Sequence, residues 1–387
     1  MNESGLAGTD AFDRDAIDLE VAVVGAGAVG ATTAYDLARR GADVTLYDRG
    51  SVAAGSSGRA AGICYDAFAD RVDAEITGEA IERFRTLSGD ETFPFTECPY
   101  VWLAREGDDR AEAISEGIER MQAHGVIALE MDADDLAERF PVVGTEDVAV
   151  AGIAGAAGYT DPGQYTACLA AGAEGVGATL ETGIEVGVRT DPPRVVLESE
   201  EREFDAVVVA AGAHTKGVLA DAGVPIAMKP YRVQALVADA DLEEPMVYDA
   251  TDDFYVRPHP EGLLAGDGTE TVEAEPDDYD RDASPGFAED LLERVRAQVP
   301  ALEGDLEVER AWAGLCTATP DRTPLVGELR DGVYVATGFH GEGFMRAPAI
   351  GDRLAKEVLG GEGIATFDPT RFTGEEEFEI REGQAIE

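Results

Sequence analysis

The first strongly apolar run of the chain stands directly before a glycine-rich stretch. Val21 to Val24 are consecutive apolar residues, a pattern that predicts a buried strand. The glycines within residues 25–30 (GAGAVG) follow at once, and the alanine-rich segment 28–40 predicts a helix that ends at Gly41. Residues 43–47 predict a second strand. This order of elements predicts a β-α-β unit.

Farther along the chain, the hydrophobic pattern changes between helical and strand periods. Helices are expected over 75–87, 110–124, 131–141 and 286–300, within 158–178, and at the end of 331–361. Buried or alternating strands are expected over 179–188, 194–199 and 204–210, and the block from Tyr231 to Trp312 predicts an antiparallel sheet with helices on it. The tail from 374 is expected to be a solvated end.

The fold class that follows is a Rossmann-type α/β domain in three layers with a second, α+β domain on an antiparallel sheet. We expect residues 19–75, 146–228 and 320–365 to form the nucleotide-binding domain. Residues 76–145 and 229–319 would form the substrate-binding domain, with tails at 1–18 and 366–387. A length of 387 residues suits two domains that share a ligand.

The charge balance is extreme. Asp and Glu total 79 against 30 Lys and Arg, which gives a net charge of −49, and only Lys216, Lys229 and Lys356 are lysines. Acidic residues are spread over the whole chain. This composition predicts a halophilic protein kept soluble in high salt, the alternative being an ordinary acidic cytosolic protein. It argues against a nucleic-acid partner, because no basic patch is present.

Other sequence features narrow the cellular setting. The chain contains no apolar run of 18 residues, so no membrane span is expected. Residues 1–18 lack the apolar core of a signal peptide and predict a short disordered leader. The four cysteines form no C-x-x-C pair and the four histidines stand apart, which predicts a reduced, cytoplasmic protein without a metal site.

The stretch 25–30 carries a nucleotide-binding signature. Gly25, Gly27 and Gly30 let the backbone approach a pyrophosphate, and the helix that follows offers free N–H groups and a partial positive charge. Seventeen residues intervene between Gly30 and Asp48, which can accept a hydrogen bond from a ribose hydroxyl. The unit predicts a dinucleotide, and both NAD and FAD fit it.

Three further glycine-rich stretches favour FAD. They are "GSSGRAAG" (55–62), "FDAVVVAAGAH" (204–214) and "ATGFHGEGFMRAP" (336–348). Each is unremarkable alone, because glycine turns are common. Together with the dinucleotide signature, they suggest one long cofactor lying across the fold.

These stretches, with "GYTDPG" and "WAGLCTATPDRTPLVG", resemble FAD-dependent amine and amino-acid oxidoreductases of the D-amino acid oxidase superfamily, which includes glycine oxidase and sarcosine oxidase. The resemblance covers roughly residues 19–361. It implies non-covalent FAD, with cofactor-binding residues drawn from the quoted stretches: Gly25, Gly27, Ala28, Val29, Gly30, Asp48, Arg49, Ser56, Ser57, Ala61, Gly62, Ile184, Ala211, Gly212, Cys316, Gly338, Gly341, Glu342, Gly343, Phe344 and Met345.

The sequence departs from this family where the substrate should bind. Cys316 stands where glycine-oxidase-like members have a carboxylate-binding Arg, and Met345 stands where sarcosine-oxidase-like members have a Lys. Leu264 replaces a Lys that helps oxygen react, so the electron acceptor can be O2 or another molecule. The residues used for covalent flavin attachment are also absent, with Arg59 and Gly314 at those positions. The remaining candidates for the substrate site are His340, Arg346, Arg257 and Tyr255, with Arg232 and Arg322 as further possible carboxylate ligands.

The function that the resemblance implies is oxidation of the C–N bond of a small amine or amino acid, of the D-amino acid, glycine or sarcosine type, by hydride transfer to flavin. One alternative is an FAD-dependent 2-hydroxy acid or polyol dehydrogenase on the same fold. Another is a flavin subunit of an electron-transfer complex. An NAD dehydrogenase has the weakest support, because nothing downstream resembles a nicotinamide site. Oligomeric state is left open.

The charge of the chain makes one prediction without any structure. Stability and activity should rise with salt toward roughly molar concentrations, because salt screens the self-repulsion of the acidic surface. Thermal unfolding measured across a KCl series tests this expectation. Full stability in dilute buffer would contradict the halophilic interpretation.

Overall fold

A computed structural model describes residues 17–89, 92–267, 269–302 and 306–381. The leader expected at the N-terminus therefore lies almost wholly outside the described residues, as do the last six residues of the expected tail. Within the described part of the chain, none of the helices is both long and apolar enough to cross a membrane.

All the α-helices of the described residues except one occur where the sequence predicts them, with ends shifted by a few residues; the exception is the short helix Thr215–Asp221, which is not among the expected helices. Asp70, Asp132 and Asp161 each accept hydrogen bonds from backbone N–H groups at the start of a helix, so acidic N-caps set three of these starts. The helices are α1 (Ala28–Ala38), α2 (Arg71–Leu87), α3 (Arg110–Ala123), α4 (Ala133–Arg139), α5 (Pro162–Gly175), α6 (Thr215–Asp221), α7 (Phe287–Gln298) and α8 (Gly343–Val358).

The strands are mostly short. They are β1 (Glu20–Val24), β2 (Asp43–Asp48), β3 (Ile63–Tyr65), β4 (Phe95–Glu97), β5 (Tyr100–Arg105), β6 (Ala128–Met131), β7 (Val148–Ala154), β8 (Ala157–Thr160), β9 (Thr179–Thr182), β10 (Gly187–Arg189), β11 (Arg194–Val196), β12 (Glu201–Glu203), β13 (Ala206–Val209), β14 (Lys229–Ala238), β15 (Met246–Asp249), β16 (Phe254–His259), β17 (Gly262–Asp267), β18 (Val308–Ala318), β19 (Leu325–Arg330) and β20 (Val333–Thr337).

A parallel sheet forms the centre of a three-layer unit, which confirms the predicted Rossmann-type fold. Its strand order is β19-β20-β13-β1-β2-β9, and all neighbours are parallel except β19 and β20. Val21 and Val23 of β1 pack toward α1, α5 and α8. Ala22 and Val24 face the other way, toward the small antiparallel sheet β10-β11-β12. Because both faces of the sheet are covered, the residues of β1 after Glu20 are all apolar.

A second, larger sheet confirms the predicted antiparallel block. Its order is β18-β14-β17-β16-β15-β5-β7-β6, and its strands are antiparallel except for the pair β15 and β5. One face packs on α4 and α7 through an apolar cluster that includes Phe254 and Leu291. Strand β7 (Val148–Ala154) pairs within this sheet, although the sequence places residues from 146 onward in the nucleotide-binding part. The domain division is otherwise still a prediction.

Helix α1 is held against α2 and α8 by buried charge as well as by apolar packing. The Asp36 carboxylate is fully buried and pairs with Arg39, Arg40 and Arg83 at 2.7, 3.2 and 2.9 Å. Arg40 also pairs with Asp352 of α8. This network joins three helices that flank the parallel sheet, and each buried charge in it has an opposite partner.

The C-terminal segment corrects the expectation of a solvated tail. Phe367 is 1% exposed and Ile380 is 5% exposed, and Ile380 packs against Tyr231 and Ala318. Lys229 donates a hydrogen bond from Nζ to the Phe378 carbonyl at 2.7 Å. The described part of the tail therefore follows the protein surface with its apolar side chains turned inward.

Close packing between α1 and α8 gives a stability prediction. A Cβ added at Gly351 would lie 2.5 Å from Thr32 Cγ2 and 3.0 Å from the Thr33 backbone nitrogen. We expect Gly351→Ala to lower the free energy of unfolding by about 1–3 kcal/mol, because the two helices must move apart. Denaturant unfolding in high salt measures this.

Gly117→Ala in α3 is the matched control, since no atom lies within 4 Å of the added Cβ. That substitution should be neutral or stabilise the protein by roughly 0.5–1 kcal/mol through helix propensity. Equal losses for both variants would contradict the packing argument.

Candidate functional site

A deep cleft of about 890 Å³ runs between the parallel sheet and the larger sheet. Its volume lies near the upper end of small-molecule pockets. Every residue that the sequence assigns to the cofactor lines this cleft except Gly30 and Gly338. Tyr255 and His340 also line it, whereas Arg346 and Arg257 do not. The tertiary structure thus brings the widely separated glycine-rich stretches together along one wall.

One end of the cleft is formed by the start of α1. Gly27 is the N-cap of this helix and has no side chain to cap it. The Ala28 N–H donates to Ser57 Oγ at 2.9 Å, and the described residues offer no acceptor to the N–H groups of Val29 and Gly30. These free donors, at the positive end of an 11-residue helix, suit a pyrophosphate.

Gly25 and Gly30 make this helix start possible. Gly25 has φ +109°, and a Cβ there would lie 2.4 Å from the Ala210 carbonyl oxygen. A Cβ at Gly30 would lie 1.9 Å from the Gly25 carbonyl oxygen. Gly30 therefore serves the contact between helix and strand, which explains why it lies behind the cleft wall.

Asp48 lies at the end of β2, beside the start of α1. Its carboxylate accepts hydrogen bonds from the backbone N–H groups of Ala26 and Gly50, both at 2.7 Å. An ionised carboxylate has roughly four acceptor positions, so further positions are available to a ribose hydroxyl. Asp48 thus both fixes the turn and lines the cleft. Ile184, whose N–H donates to the Asp48 carbonyl at 3.0 Å, lies next to it.

The loop 55–62 is fastened to the larger sheet by three hydrogen bonds. Ser56 Oγ donates to the Leu315 carbonyl at 2.5 Å, and Trp312 Nε1 donates to the Arg59 carbonyl at 3.1 Å. Arg257 Nε donates to the Ala61 carbonyl at 2.6 Å. The loop that lines the middle of the cleft is therefore held from the substrate side.

Arg257 does not have the carboxylate-binding role that the sequence suggests. Besides Ala61, its guanidinium donates to the Pro258 carbonyl at 2.6 Å and lies over the Tyr159 ring. It is 3% exposed, and burial lowers its pKa to about 10. Because carbonyls and an aromatic ring surround this cation behind the cleft wall, it supports the loop instead of binding a ligand.

His340, expected to orient substrate or move protons, has both ring nitrogens occupied. The Thr319 N–H donates to Nε2 at 2.8 Å, which requires Nε2 to be unprotonated. Nδ1 then carries the proton and lies 3.2 Å from the Arg381 carbonyl. Burial lowers the pKa of His340 to about 4, so the ring is neutral at pH 7. This geometry argues against acid–base catalysis by His340 and makes it a link between the cleft turn and the C-terminal segment.

Arg346 is likewise engaged inside the protein. Its guanidinium pairs with Glu342 and with Asp73 of α2, and it lies over the Phe68 ring at 4.7 Å. Burial alone would lower the pKa of Arg346, but the two carboxylates outweigh burial and raise it. With two acidic partners already bound, Arg346 is not a carboxylate ligand for substrate.

The inner wall of the cleft is aromatic. Tyr255, Tyr65 and Trp312 line it, and Tyr65 stacks on Tyr100 with ring centroids 4.5 Å apart. A Cβ on Gly266 would lie 2.1 Å from the Tyr255 hydroxyl oxygen, so the absence of a side chain at Gly266 leaves space for the Tyr255 ring. The sequence pointed to Tyr255 alone, because the other rings lie on separate strands with no shared motif.

An acidic loop between β17 and α7 reaches across the outer part of the cleft. Asp277 pairs with Arg49, which the sequence assigns to the cofactor, and its carboxylate lies 3.2 Å from His214 Nε2. Glu273 pairs with Lys216 in the same way. Arg232 holds the loop from beneath by donating to the carbonyls of Asp280 and Asp282 at 2.9 and 2.6 Å, so it too is unavailable to substrate.

Comparison with known proteins shows which proteins this chain resembles. Residues 20–357 match the family described as DAO, FAD dependent oxidoreductase. Glycine oxidase of Geobacillus kaustophilus is 27% identical over 92% of this chain and 97% of that protein. A 4-methylaminobutanoate oxidase (formaldehyde-forming) of Paenarthrobacter nicotinovorans is 28% identical over 91% of this chain, which spans 45% of that protein.

Solved structures share the architecture over nearly the whole chain. L-proline dehydrogenase from P. horikoshii has a TM-score of 0.82 and 27% sequence identity, covering 92% of this chain and 98% of that one. Glycine oxidase from Geobacillus kaustophilus has the same TM-score of 0.82, with 23% identity and 92% coverage of this chain. At this identity, the match shows a shared fold only. Both structural matches extend over the parallel sheet and the larger sheet.

The position of Asp48 predicts its effect on cofactor affinity. Asp48→Ala removes the acceptor of two backbone N–H groups and the acceptor that the sequence predicts for a ribose hydroxyl. We expect FAD affinity to fall roughly 10- to 100-fold, since each charge-assisted hydrogen bond contributes about 1.5–3 kcal/mol. Titration of apoprotein with FAD, followed by flavin fluorescence, measures the change.

Asp43→Ala is the control, because Asp43 is an exposed acidic residue at the other end of the same strand. It should leave FAD affinity unchanged. Unaltered affinity in Asp48→Ala would show that this carboxylate does not contact the cofactor.

Proposed function

The chain belongs to the DAO family of FAD-dependent oxidoreductases, and from that premise we propose that it oxidises the C–N bond of a small amine or amino acid. The observation that carries this proposal is one cleft that joins the free N–H groups at the start of α1 to the aromatic wall around Tyr255. A flavin bound there would accept hydride from the carbon next to nitrogen, and water would hydrolyse the resulting imine.

The residues of the chain have distinct tasks in this proposal. The N–H groups of Val29 and Gly30 would hold the pyrophosphate, and Asp48 would hold the ribose. The loop 55–62 and the turn 338–345 would bind the flavin, and the backbone N–H groups at the start of α8 would stabilise negative charge on the reduced ring. Tyr255, Tyr65 and Trp312 orient the substrate and exclude water from it.

We propose that the cofactor is bound without a covalent link. Arg59 and Gly314 occupy the two positions where flavin attachment would be expected, and neither can form such a bond. Cys316 does line the cleft, and its Sγ lies beside Gly341, 3.7 Å from where a Cβ on that glycine would be. Acid precipitation of the protein, followed by absorbance of the supernatant, separates free from attached flavin.

The setting of the protein follows from its charge and cysteines. We propose a cytoplasmic, halophilic protein, which agrees with four free cysteines and with a net charge of −49.

The proposal is tested by anaerobic reduction of the protein-bound flavin in molar KCl. Candidate substrates are sarcosine, glycine, D-alanine, L-proline and 4-methylaminobutanoate, with lactate and glycerol for the hydroxy acid and polyol alternative. Bleaching of the flavin absorbance by an amine supports the proposal. Bleaching by a hydroxy compound alone overturns it in favour of the alternative.

Admission of air then identifies the electron acceptor. Rapid return of the flavin absorbance indicates an oxidase, and slow return indicates a dehydrogenase that passes electrons to another molecule. A protein that every amine leaves oxidised would instead fit a flavin subunit that needs a partner.

A further inference from the structure

A buried carboxylate without a full set of partners lies at the aromatic end of the cleft. Glu342 is 8% exposed and lines the cleft between Gly341 and Gly343, directly before α8. It does not cap the helix, because its side chain accepts no hydrogen bond from the N–H groups of the first turn. Its carboxylate is therefore free for another role.

Only one oxygen of this carboxylate is used by the protein. Oε2 accepts hydrogen bonds from Arg346 Nε at 3.1 Å and from Arg346 Nη2 at 2.5 Å. Oε1 accepts none from the residues that the structure describes. Oε1 is not one of the fully enclosed side-chain atoms that lack a partner, so it can be reached from the cleft that Glu342 lines. It can therefore accept a hydrogen bond from a ligand bound there.

Glu342 shares its direct cationic partner with another carboxylate. Glu342 and Asp73 both pair with the guanidinium of Arg346, and the positive charge of Arg322 also acts on Glu342. Asp73 is partly open to solvent, with 25% of its side chain exposed, but Glu342 is not. Burial outweighs both cations and raises the pKa of Glu342. A cationic ligand beside Oε1 would stabilise the ionised carboxylate.

The surroundings of Glu342 also favour a cation. Tyr100 is close enough for its ionisation to be affected by the Glu342 charge, and Tyr65 stacks on Tyr100 and faces the cleft. Aromatic ring faces attract alkylammonium groups, and the effect is strongest where water is excluded. Among the described residues, only Arg346 donates hydrogen bonds to Glu342, and Arg346 does not line the cleft.

We propose that Glu342 is the anionic group that binds the substrate's ammonium, with an N–H of the substrate donating to Oε1. The inference rests on the proposed function and names the substrate class more closely: a protonated amine recognised as a cation by a carboxylate and aromatic rings. Recognition of this kind needs no carboxylate on the substrate. The proposal is therefore consistent with Cys316 and Met345 at the positions where the resembling families have basic residues that bind a substrate carboxylate.

The test measures binding to the FAD-loaded protein and does not require turnover. Trimethylammonium chloride is the cationic probe and tert-butanol is its uncharged counterpart of similar shape. Both are titrated at constant ionic strength while the flavin absorbance is followed. We expect Glu342→Gln to raise the Kd of trimethylammonium roughly tenfold or more and to leave tert-butanol binding unchanged, because only the charge is removed.

Glu79→Gln is the matched control. Glu79 of α2 pairs with Arg353 of α8 at 2.6 Å, so this ion pair joins the same two helices as Asp73 and Arg346 but lies on the surface. It should leave both Kd values unchanged. A loss of affinity for both probes in Glu342→Gln would indicate a structural role, and unchanged trimethylammonium binding would overturn the proposal.

The wild-type protein alone also tests the idea, should Glu342→Gln fail to fold. Trimethylammonium must then bind much more tightly than tert-butanol, and equal affinities would overturn the inference. The outcome is separable from that of the proposed function. If amines reduce the flavin equally well in wild type and Glu342→Gln, the proposed function stands and the role of Glu342 is wrong. If no amine reduces the flavin but trimethylammonium binds through Glu342, the proposed function is wrong and the role of Glu342 as a cation-binding group stands.

Discussion

The structure depends on one very close approach, that of the first turn of α1 to the end of β1. Gly25 and Gly30 meet there at a distance that leaves no space for a Cβ on either residue. This contact aims the N–H groups of α1 into the cleft. It also sets the position of α1 against α8 at Gly351, and α8 in turn begins at Gly343 in the cleft wall. The nucleotide end and the flavin-facing turn are thus linked through one helix pair.

Arginine is used inside this protein mainly as a structural cation. Arg257 donates to carbonyls of the loop 55–62 and its own strand, Arg232 donates to the acidic loop over the cleft, and Arg346 joins α2 to α8. A guanidinium offers five donors in a fixed plane, which suits it to such multiple contacts. These three candidate carboxylate ligands are therefore engaged within the protein, whereas the Glu342 carboxylate lines the cleft.

The two ends of the cleft are built on different physical principles. At the nucleotide end, backbone N–H groups and Asp48 provide polar contacts fixed by the parallel sheet. At the other end, the cleft is lined by Tyr255 and Trp312 of the larger sheet, by Tyr65 of β3 and by the buried carboxylate of Glu342. The loop 55–62 joins the two, because Ser56 and Arg59 are bonded to Leu315 and Trp312 of β18. That loop consequently ties the nucleotide-binding side of the cleft to the larger sheet.

Sequence alone determined the β-α-β unit, the helices with Asp N-caps, the antiparallel block and the FAD-dependent family, since these depend on local periodicity, glycine spacing and order along the chain. It could not assign His340, Arg257 and Arg346, because a side chain's role depends on partners that lie far away in sequence, such as Arg381, Ala61 and Asp73. The C-terminal segment lies between these cases: Phe378 and Ile380 alternate with glutamates in a strand-like pattern, but the acidic composition concealed it. Only the tertiary structure decided which polar groups are satisfied within the protein, because their partners come from segments far apart in the sequence.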